Sequence, residues 1–392
     1  HNRFYTEKLA AVKLPLESWD QLSRLPFTFK EELKGSPSSG VFAANLTWPI
    51  DRYVRFHQTS GTHGRPMPVL DTAEDWEWWL ATWQYVLDAA GIRSQDRVMF
   101  PFSFGPFIGF WSAFEACLAR GCLVIPSGGM KTLARLELLR TSKATVFFCT
   151  PSYTLRMAEV AAENRIDPSS LQVRRIIVSG EPGGSFPDVQ KRIGAVWNAR
   201  VIDHAGASEI GPWGFADSAG RGLFINEAEF LPEFLSLATG GLAQEGELSE
   251  LVLTSLGRAG SPVIRYRTGD LVRPSWKYGE NGDCGFVLLE GGVLGRADDM
   301  LVVRGVNIFP SSIDQIVRSF PEVIEYRATV VRHGEMDALH VEIEDRLSDP
   351  ARVARDLHLR LGLKVDVSCV PAGTLPRFEG KGKRFVDGRI PK

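Results

Sequence analysis

Between about residue 74 and residue 205, stretches with apolar residues at helical spacing alternate with short, unbroken apolar runs. The helical spacing predicts helices over 74–90, 110–119 and 131–141, the first of them capped near Asp71 or Thr72 and stopped at Gly91. Apolar, β-branched runs with little alternation are typical of strands covered on both faces of a parallel sheet. Such runs predict strands over 96–100, 121–126, 145–150, 173–179 and 200–203.

The pattern changes after about residue 218. Antiparallel strands of a β-rich subdomain are predicted over 250–255, 264–271 and 285–290. A boundary is expected near 293–299, followed by a compact α+β unit. Its predicted elements are strand 300–303, helix 311–319, strands 323–332 and 338–344, helix 349–362 and strand 365–370.

Strands separated by helices predict an α/β fold. The expected large N-terminal domain, residues 1–295, has layered, mostly parallel sheets with helices, together with the β-rich subdomain. Residues 296–392 are expected to form a small, mobile α+β domain.

Charge and cysteine content limit the possible partners and locations. A net charge of −2 over 392 residues gives no reason to expect nucleic acid or an acidic membrane surface as a partner. The five cysteines include no C-x-x-C pair, and Cys117 and Cys122 lie in apolar runs typical of a core. An odd cysteine count, no recognisable leader and no apolar run of about 18 residues predict a cytoplasmic protein. A monomer or homodimer is expected.

Candidate chemistry begins at residues 56–66, where hydroxyl residues and two glycines precede a cation and a proline. Gly61 and Gly64 allow the backbone to turn sharply, and successive amide N–H groups in such a loop bind anions. Arg65 adds a positive charge suited to phosphate oxygens. Hydroxyl donors are supplied by Thr59, Ser60 and Thr62. The Walker pattern is absent and no G-x-G-x-x-G follows a strand, which argues against a P-loop NTPase and an NAD-linked oxidoreductase.

Five later segments carry polar residues at places that suit a nucleotide. Residues 178–182 follow a strand, at the end of the sheet where α/β folds bind ligands. Residues 204–209 also follow a strand, and a carboxylate there could hold Mg²⁺ against phosphates. The turn at 266–271 offers a carboxylate for a ribose diol, 295–299 lie at the domain boundary, and 379–384 form a glycine-flanked basic loop. Each alone is more often an ordinary turn or a solvated surface, but their joint occurrence in this order indicates a nucleotide site.

The order of these segments resembles the adenylate-forming superfamily of acyl-CoA synthetases, peptide-synthetase adenylation domains and luciferases, and most closely its phenylacetate–CoA ligase family. Besides the glycine-rich loop, the likeness includes L-P-F-T-F-K-E-E-L at 25–33, C-T-P-S-Y at 149–153, P-V-I-R-Y-R-T-G-D-L at 262–271, G-R-A-D-D-M-L at 295–301 and R-G-V-N-I-F-P at 304–310. It covers nearly the whole chain and implies that a carboxylate attacks ATP, forms an acyl-adenylate and releases pyrophosphate. A thiol then attacks the adenylate.

The resemblance assigns ATP-binding roles motif by motif. The β- and γ-phosphates would be held by Thr59, Ser60, Gly61, Thr62, His63, Gly64 and Arg65. The adenine pocket would be lined by Gly180, Glu181 and Pro182, with His204 and Ala205 at the place where the family usually has a stacking tyrosine. Ser208 and Glu209 would lie at the α-phosphate and Mg²⁺, and Asp270 would bind the ribose hydroxyls.

Three further residues receive roles in the two-step reaction. Arg296 would help hold ATP, Asp298 would be the hinge of the small domain, and Lys381 would be the lysine that enters for adenylation. Lys383 is a rival two residues away, but the Gly-Lys context of Lys381 matches the family. Many family members carry a structural zinc, whereas the matching region here has Asp217, Phe224 and a lone Cys284, so no zinc is predicted.

The substrates implied by the resemblance are a small carboxylic acid, ATP and CoA, with Mg²⁺. Candidate walls of the acid pocket are Phe104, Gly105, Phe107, Tyr153, Ala205 and Trp213, although simple core packing is an equal alternative for the phenylalanines. Aromatic walls favour an aromatic or arylacetic acid. Two alternatives stay open: an adenylating enzyme that loads a carrier protein or an amine, and a non-catalytic homologue that binds nucleotide or acyl groups.

Overall fold

The computed structural model describes residues 2–35, 42–59, 66–102, 104–276, 284–304, 306–333, 336–378 and 382–389. The chain divides into two compact units, each built from two separate stretches of sequence. Unit one consists of His1–Gly129 and Asp203–Glu290, and unit two of Met130–Ile202 and Gly291–Lys392. The sequence predicts two contiguous domains, 1–295 and 296–392, and this division of the chain stays a prediction.

The described residues form the following α-helices: α1 (Arg3–Lys8), α2 (Lys30–Leu33), α3 (Ala73–Ala89), α4 (Ile108–Ala119), α5 (Thr132–Ser142), α6 (Pro151–Glu163), α7 (Pro187–Trp197), α8 (Pro310–Arg318) and α9 (Pro350–Leu361). The strands are β1 (Arg55–Gln58), β2 (Pro68–Asp71), β3 (Arg97–Phe100), β4 (Leu123–Pro126), β5 (Val146–Cys149), β6 (Arg175–Val178), β7 (Arg200–Ala207), β8 (Gly211–Ala216), β9 (Gly222–Ile225), β10 (Phe230–Ser236), β11 (Ser249–Ser255), β12 (Tyr266–Val272), β13 (Pro274–Ser275), β14 (Leu288–Glu290), β15 (Gly295–Arg296), β16 (Leu301–Val303), β17 (Val306–Ile308), β18 (Val323–His333), β19 (Met336–Asp345), β20 (Asp366–Cys369) and β21 (Phe385–Asp387). None of these helices combines the length and the apolar character needed to cross a lipid bilayer.

The elements predicted from the sequence pattern are present, most of them within a few residues of their predicted ends. The start of helix α3 could be predicted from the sequence because a capping box marks it. Thr72 Oγ1 accepts a hydrogen bond from the Asp75 N–H at 3.1 Å, and Asp75 Oδ2 accepts one from the Thr72 N–H at 3.0 Å. Gly91, just past the end of the helix, has a left-handed φ of 63°. Because the predicted helices and strands are present in the predicted order, the α/β class is confirmed.

Unit one combines parallel and antiparallel strands. Strands β3 and β4 are parallel, whereas β1 and β2 form an antiparallel hairpin. An antiparallel ladder joins β13, β14, β9, β8 and β7 in that order. Strands β10, β11 and β12 form a second antiparallel sheet, which confirms the β-rich character predicted for this part of the chain.

Unit two contains a parallel pair, β5 and β6, and an α+β portion near the C-terminus. In that portion the long strands β18 and β19 are antiparallel, with β20 parallel to β19 and β21 parallel to β18. The apolar face of α8, with Ile313, Ile316 and Val317, packs into a core with residues such as Val330 and Leu339 of the long strands. Helix α8 thus has the amphipathic pattern of a helix covering one face of a sheet.

Candidate active site

The glycine-rich loop connects β1 to β2. At its neck the Thr59 N–H donates to the Met67 carbonyl oxygen, and the Met67 N–H donates to Thr59 Oγ1, both at 3.0 Å. Thr59 is buried, so its hydroxyl closes the base of the loop, and its predicted contact with phosphate stays a prediction. The other predicted phosphate ligands, Ser60, Gly61, Thr62, His63, Gly64 and Arg65, lie outside the described residues.

Glu209 is buried in the turn after β7. Its Oε1 accepts a hydrogen bond from the Tyr266 hydroxyl at 2.6 Å and forms an ion pair with Lys30 Nζ at 3.2 Å. Burial alone would raise the pKa of Glu209, but the charge of Lys30 and the hydrogen bond from Tyr266 bring this pKa below its ordinary value. Glu209 is therefore an anion at neutral pH, which suits its predicted role as a carboxylate ligand of Mg²⁺. Lys30 and Tyr266 were not predicted as site residues, although both lie in segments that carry the family resemblance.

Arg258 holds the backbone that carries Ser208 and Glu209. Its Nη1 donates to the carbonyl oxygens of Ser208 at 3.3 Å and Glu209 at 2.9 Å. Its Nε donates to Asp71 Oδ1 at 2.7 Å, and the two side chains of this ion pair are 1% and 0% exposed. The pair joins the end of β2 to the turn after β7. No local sequence pattern indicates this pair, because 187 residues separate the partners.

Strand β7 is longer than predicted and runs through Ala207, so His204 and Ala205 lie within a strand and not in a loop after one. In the pairing of β7 with β8, His204 lies opposite Phe215 and Ala205 opposite Gly214. The prediction ended the strand too early, because the alanines and glycine of 205–207 interrupt the β-branched run that marked it. The roles of His204 and Ala205 near adenine stay predictions.

His204 predicts how stability depends on pH. Burial lowers its pKa to about 4, although Nδ1 lies 2.7 Å from the Gly214 carbonyl oxygen, a contact that favours the protonated ring. In the unfolded chain, His204 therefore binds a proton near its ordinary pKa of 6.5. In the folded chain it binds one only near pH 4. We expect the free energy of unfolding to fall by about 2 kcal/mol from this group between pH 7 and pH 5.

Urea unfolding of the wild type and of His204→Phe at both pH values measures this effect. The variant should lose part of the pH dependence even if its stability at pH 7 is lower. An identical slope in both proteins would assign the pH dependence to other groups. Burial also lowers the pKa of His57 to about 4, so some pH dependence is expected to remain in the variant.

Asp270 lies in a β-bulge and not in a free turn. In the pairing of β11 with β12, the register shifts between Glu250 and Val252, so that residues 268–270 lie opposite the single residue Leu251. Gly269 in the bulge has φ 76°, which glycine adopts readily. Asp270 is partly exposed, and its N–H donates to Thr268 Oγ1 at 2.9 Å. Its assignment to the ribose stays a prediction.

In unit two, Gly180, Glu181 and Pro182 follow β6, as predicted. Gly180 has φ 88°, a left-handed conformation that explains the glycine. Glu181 Oε1 accepts a hydrogen bond from the Ser152 N–H at 2.6 Å, so this carboxylate lies at the N-terminus of α6, where the helix dipole favours an anion.

A cavity of about 130 Å³ lies beside Glu181 and Pro182 within unit two. Its other lining residues carry charges of both signs, and they are Gly295, Arg296, Asp299, Pro310, Ser311, Asp314, Arg318, Tyr326, Gly382, Arg384 and Phe385. Three segments predicted to bind the nucleotide, 178–182, 295–299 and 379–384, thus contribute residues to one cavity. Arg296 pairs with Asp298 through two hydrogen bonds, Nε to Oδ1 at 2.8 Å and Nη2 to Oδ2 at 2.9 Å. The ATP and hinge roles of this pair stay predictions.

Helix α8 and strand β18 give this cavity a polar wall that was not predicted from the sequence. Arg318 Nε donates to both carboxylate oxygens of Asp314 at 2.9 and 3.0 Å, and the Tyr326 hydroxyl donates to Asp314 Oδ1 at 2.7 Å. Burial raises the pKa of Tyr326 well above its ordinary value, so this hydroxyl keeps its proton. The i,i+4 spacing of Asp314 and Arg318 is a signal that would have found the ion pair, though not its place beside a cavity.

Lys381 lies outside the described residues, and Lys383 is exposed.

The candidate walls of the acid pocket lie in both units. In unit one, Phe104 contacts Trp111 edge to face, with 4.9 Å between ring centroids. The Trp111 Nε1–H donates to the Gly105 carbonyl oxygen at 2.9 Å. Phe107 is exposed. Trp213 is buried.

In unit two, Tyr153 is also buried, and its hydroxyl lies 3.0 Å from Thr132 Oγ1 and 2.5 Å from Arg135 Nη1. Tyr153 belongs to α6 and its two partners belong to α5, so these contacts join the two helices. Its place in an acid pocket stays a prediction, as do those of the other candidate walls.

The region where many family members bind zinc is occupied by an ion pair. Arg221 Nε donates to Asp217 Oδ2 at 2.8 Å, and its Nη2 donates to Oδ1 at 3.1 Å. Within the described ranges, no three His, Cys, Asp or Glu side chains are grouped so as to hold a metal ion. The expectation of no zinc stays a prediction.

Comparison with known proteins identifies the family. The model of AMP-binding enzymes matches residues 22–227, and the model of their C-terminal domain matches residues 305–389. The chain belongs to the AMP-binding enzyme family. It is 32% identical to a phenylacetate–coenzyme A ligase of Pseudomonas putida over 95% of this chain and 85% of the relative. It is 31% identical to the phenylacetate–coenzyme A ligase of Escherichia coli K12 over 98% of this chain and 90% of the relative.

Among solved structures, the fold of this AMP-binding enzyme is similar to that of 2-hydroxyisobutyryl-CoA ligase in its postadenylation state with 2-HIB-AMP. The TM-score is 0.92 at 25% identity, over 99% of this chain and 86% of that chain. The resemblance predicted from the sequence motifs, to adenylate-forming enzymes and within them to phenylacetate–CoA ligases, is confirmed.

Proposed function

We propose that the protein is an ATP-dependent carboxylic acid–CoA ligase that forms an acyl-adenylate, releases pyrophosphate and transfers the acyl group to CoA. The observation that carries the proposal is the match to phenylacetate–coenzyme A ligases over nearly the full length of the chain. The chain retains the residues that such a reaction needs, among them Glu209, Asp270 and Lys381.

Charge compensation explains these residue types. A carboxylate must approach the α-phosphorus of ATP, so two anions come together, and catalysis depends on positive charge and on positioning. Lys381 would supply an ammonium to the charge that develops on the phosphoryl group. Mg²⁺, when bound, would neutralise phosphate oxygens. Glu209 fits as its carboxylate ligand because it is ionised, and ATP phosphates and water would complete the coordination.

The Mg²⁺ role of Glu209 leads to a prediction. Glu209→Gln keeps an acceptor for Tyr266 but removes the charge, so we expect turnover to require at least about tenfold more Mg²⁺. Turnover measured across a Mg²⁺ titration tests this. The matched control is Glu250→Gln, which removes another carboxylate of unit one, one that accepts from Arg267 Nε at 3.0 Å. An unchanged Mg²⁺ requirement in Glu209→Gln would remove Glu209 from the metal site.

The acid is proposed to be aromatic or arylacetic. Two observations support this class: the names of the relatives and the cluster formed by Phe104, Trp111 and Phe114, in which ring centroids are 4.9 to 5.3 Å apart. Aromatic side chains in such edge-to-face contacts suit a flat aromatic substrate.

The test is release of pyrophosphate from ATP with phenylacetate, benzoate, 2-hydroxyisobutyrate and acetate, each with and without CoA. We expect the aryl acids to give the fastest release and phenylacetyl-CoA or benzoyl-CoA to accumulate. Adenylate formation with transfer to a carrier protein or an amine, and not to CoA, would favour the first alternative function. No carboxylate-dependent exchange of labelled pyrophosphate into ATP would favour a binding homologue.

Two finer expectations remain part of the proposal. A cytoplasmic location is proposed because the sequence holds an odd number of cysteines, five, with no C-x-x-C pair. A monomer or homodimer stays a prediction.

A further inference from the structure

The C-terminal turn of α4 brings two cysteines together. The Cys122 N–H donates to the Cys117 carbonyl oxygen at 3.0 Å, and the Gly121 N–H donates to the Leu118 carbonyl oxygen at 2.9 Å. Gly121 has a left-handed φ of 86°. These two bonds and this glycine define a Schellman motif, in which the side chains of the first and last residues commonly form an apolar contact. In this motif both of those residues are cysteines.

The two thiols interact directly. The Cys117 thiol donates a hydrogen bond to the sulfur of Cys122, which lowers the pKa of Cys122 and raises the pKa of Cys117 well above its ordinary value. The Cys122 thiol in turn donates to the Arg93 carbonyl oxygen at 3.2 Å. Cys122 is therefore the first of the pair to lose its proton, and the thiolate is the reactive form of a cysteine.

The backbone holds the two residues close enough for a covalent bond. A disulfide requires Cα atoms no more than about 7 Å apart. With standard bond lengths, the 3.0 Å hydrogen bond from the Cys122 N–H to the Cys117 carbonyl oxygen keeps the two Cα atoms within about that distance. The turn therefore meets the main distance requirement for a disulfide.

The pair lies directly beneath an exposed turn. Cys117 is 0% exposed and Cys122 is 4% exposed, whereas the neighbouring Leu118 and Leu123 are 55% and 60% exposed. A small oxidant therefore needs only a local opening of this turn to reach the Cys122 sulfur. Neither cysteine has a part in the proposed ligase reaction.

We propose that Cys117 and Cys122 are a redox-active pair that closes into an intrachain disulfide when the protein meets a peroxide. The inference does not depend on the proposed ligase function. Cys122 is the attacking thiolate and Cys117 the resolving thiol, an arrangement typical of redox-sensitive cysteines. The bond ties the last turn of α4 to the residue that precedes β4.

The reaction has two steps. The Cys122 thiolate attacks one oxygen of hydrogen peroxide, so that an S–O bond forms, the O–O bond breaks and hydroxide leaves, taking up the proton that Cys122 had released. The Cys117 sulfur then attacks the sulfenic acid, forming the S–S bond and breaking the S–O bond, and the departing hydroxide takes the Cys117 proton. Two thiols are oxidised by two electrons in total, and the peroxide is reduced to two molecules of water.

The position of Arg120 between the cysteines provides a direct assay. Trypsin cleaves after this arginine, so the two cysteines fall in separate peptides, 98–120 and 121–131, which stay joined only by a disulfide. The folded full-length protein is treated with hydrogen peroxide and quenched with acid, and the remaining thiols are alkylated in denaturant. The tryptic peptides are then weighed by mass spectrometry with and without reduction.

We expect the untreated protein to give two alkylated peptides. The treated protein should give a linked pair that is two hydrogen atoms lighter than the two thiol peptides together and that separates on reduction. Because this assay uses the wild-type protein, its result does not depend on the folding of a variant.

Two single variants separate the roles of the thiols. In Cys117→Ser, oxidation should stop at the sulfenic acid of Cys122, which a dimedone probe captures. In Cys122→Ser, labelling of Cys117 by the same probe should be at least about tenfold lower, because Cys117 is buried and keeps its proton. Thermal unfolding of both variants shows whether the fold is kept.

The matched control is Cys149→Ser. Cys149 is another buried cysteine, in β5, and burial raises its pKa to about 12. Its replacement should leave the yield of the linked pair within about twofold of the wild type, since an unreactive thiol takes no part in the bond.

The exposed Cys369 shows that peroxide has acted. Once Cys369 is oxidised, recovery of both peptides as alkylated thiols, or of Cys122 only as a sulfinic acid, would overturn the proposal. A link from either peptide to Cys149 or Cys369 in place of the expected pair would overturn it as well. Equal labelling of the two single variants would reject Cys122 as the attacking thiolate.

Discussion

Replacing Lys381 by alanine is expected to slow adenylate formation by about 10²–10³-fold, the cost of removing one charge-stabilising donor. Thioester formation from a supplied acyl-adenylate should stay near the wild-type rate. The physical reason is that the ammonium compensates charge at the transferred phosphoryl group, and that charge develops only in the first half-reaction. Pyrophosphate exchange measures the first step, and single-turnover formation of the thioester measures the second.

The control for this prediction is Lys383→Ala, an exposed lysine two positions along the same basic loop. It should leave both half-reactions within about twofold of the wild type, since an exposed cation is screened by solvent. A large loss of adenylation in Lys383→Ala, with little effect in Lys381→Ala, would reverse the assignment. Equal loss of both half-reactions in Lys381→Ala would indicate that this residue has no role specific to adenylation.

Replacing Arg258 by methionine should lower the free energy of unfolding by about 3–5 kcal/mol, the usual cost of removing one partner of a buried ion pair. Asp71 would be left buried without its counter-charge, although its Oδ1 keeps the hydrogen bond from Trp79 Nε1 at 3.2 Å. The carbonyl oxygens of Ser208 and Glu209 would lose their donors as well. Urea unfolding at pH 7 measures the change, and Mg²⁺-dependent turnover at low temperature reports on the displaced Glu209.

Arg3→Met is the comparison variant. Arg3 pairs with Glu7 in unit one, and these two side chains are 90% and 65% exposed, whereas those of Arg258 and Asp71 are 1% and 0% exposed. Its loss should change the free energy of unfolding far less than the loss of Arg258, because an exposed ion pair gains little in water. Similar losses in the two variants would mean that burial does not set the importance of the Asp71–Arg258 pair.

The helices and strands were predictable because their signals are local. The Thr72–Asp75 capping box, Gly91 and the apolar runs of β3, β5 and β6 can be read within a few residues of sequence. Where local signals are weak, the prediction was wrong: β7 continues through small residues, since its continuation depends on pairing with β8. The hairpin of β1 and β2 was missed for the same reason.

The candidate site was predictable only as a set of motifs. Family resemblance assigned site roles to Glu181, Glu209, Asp270 and Arg296, and these roles stay predictions, but it did not indicate the residues that contact them. Lys30 and Tyr266 pair with Glu209 across long stretches of sequence, and Arg258 reaches Asp71 across 187 residues. Such contacts have no local periodicity, and a single sequence does not encode them in a form that pattern analysis can read.

The neck of the glycine-rich loop has a consequence for engineering. Thr59 and Met67 exchange two hydrogen bonds at the point where the strands part, and these bonds close the ladder without any atom of residues 60–65. Residues 60–65 can therefore be exchanged as a cassette, with loops of other lengths from related ligases grafted onto the same two attachment points. Because this loop is assigned to the phosphates of ATP, the grafted proteins can be screened for affinity toward the triphosphate while the contacts of Thr59 and Met67 hold the sheet register.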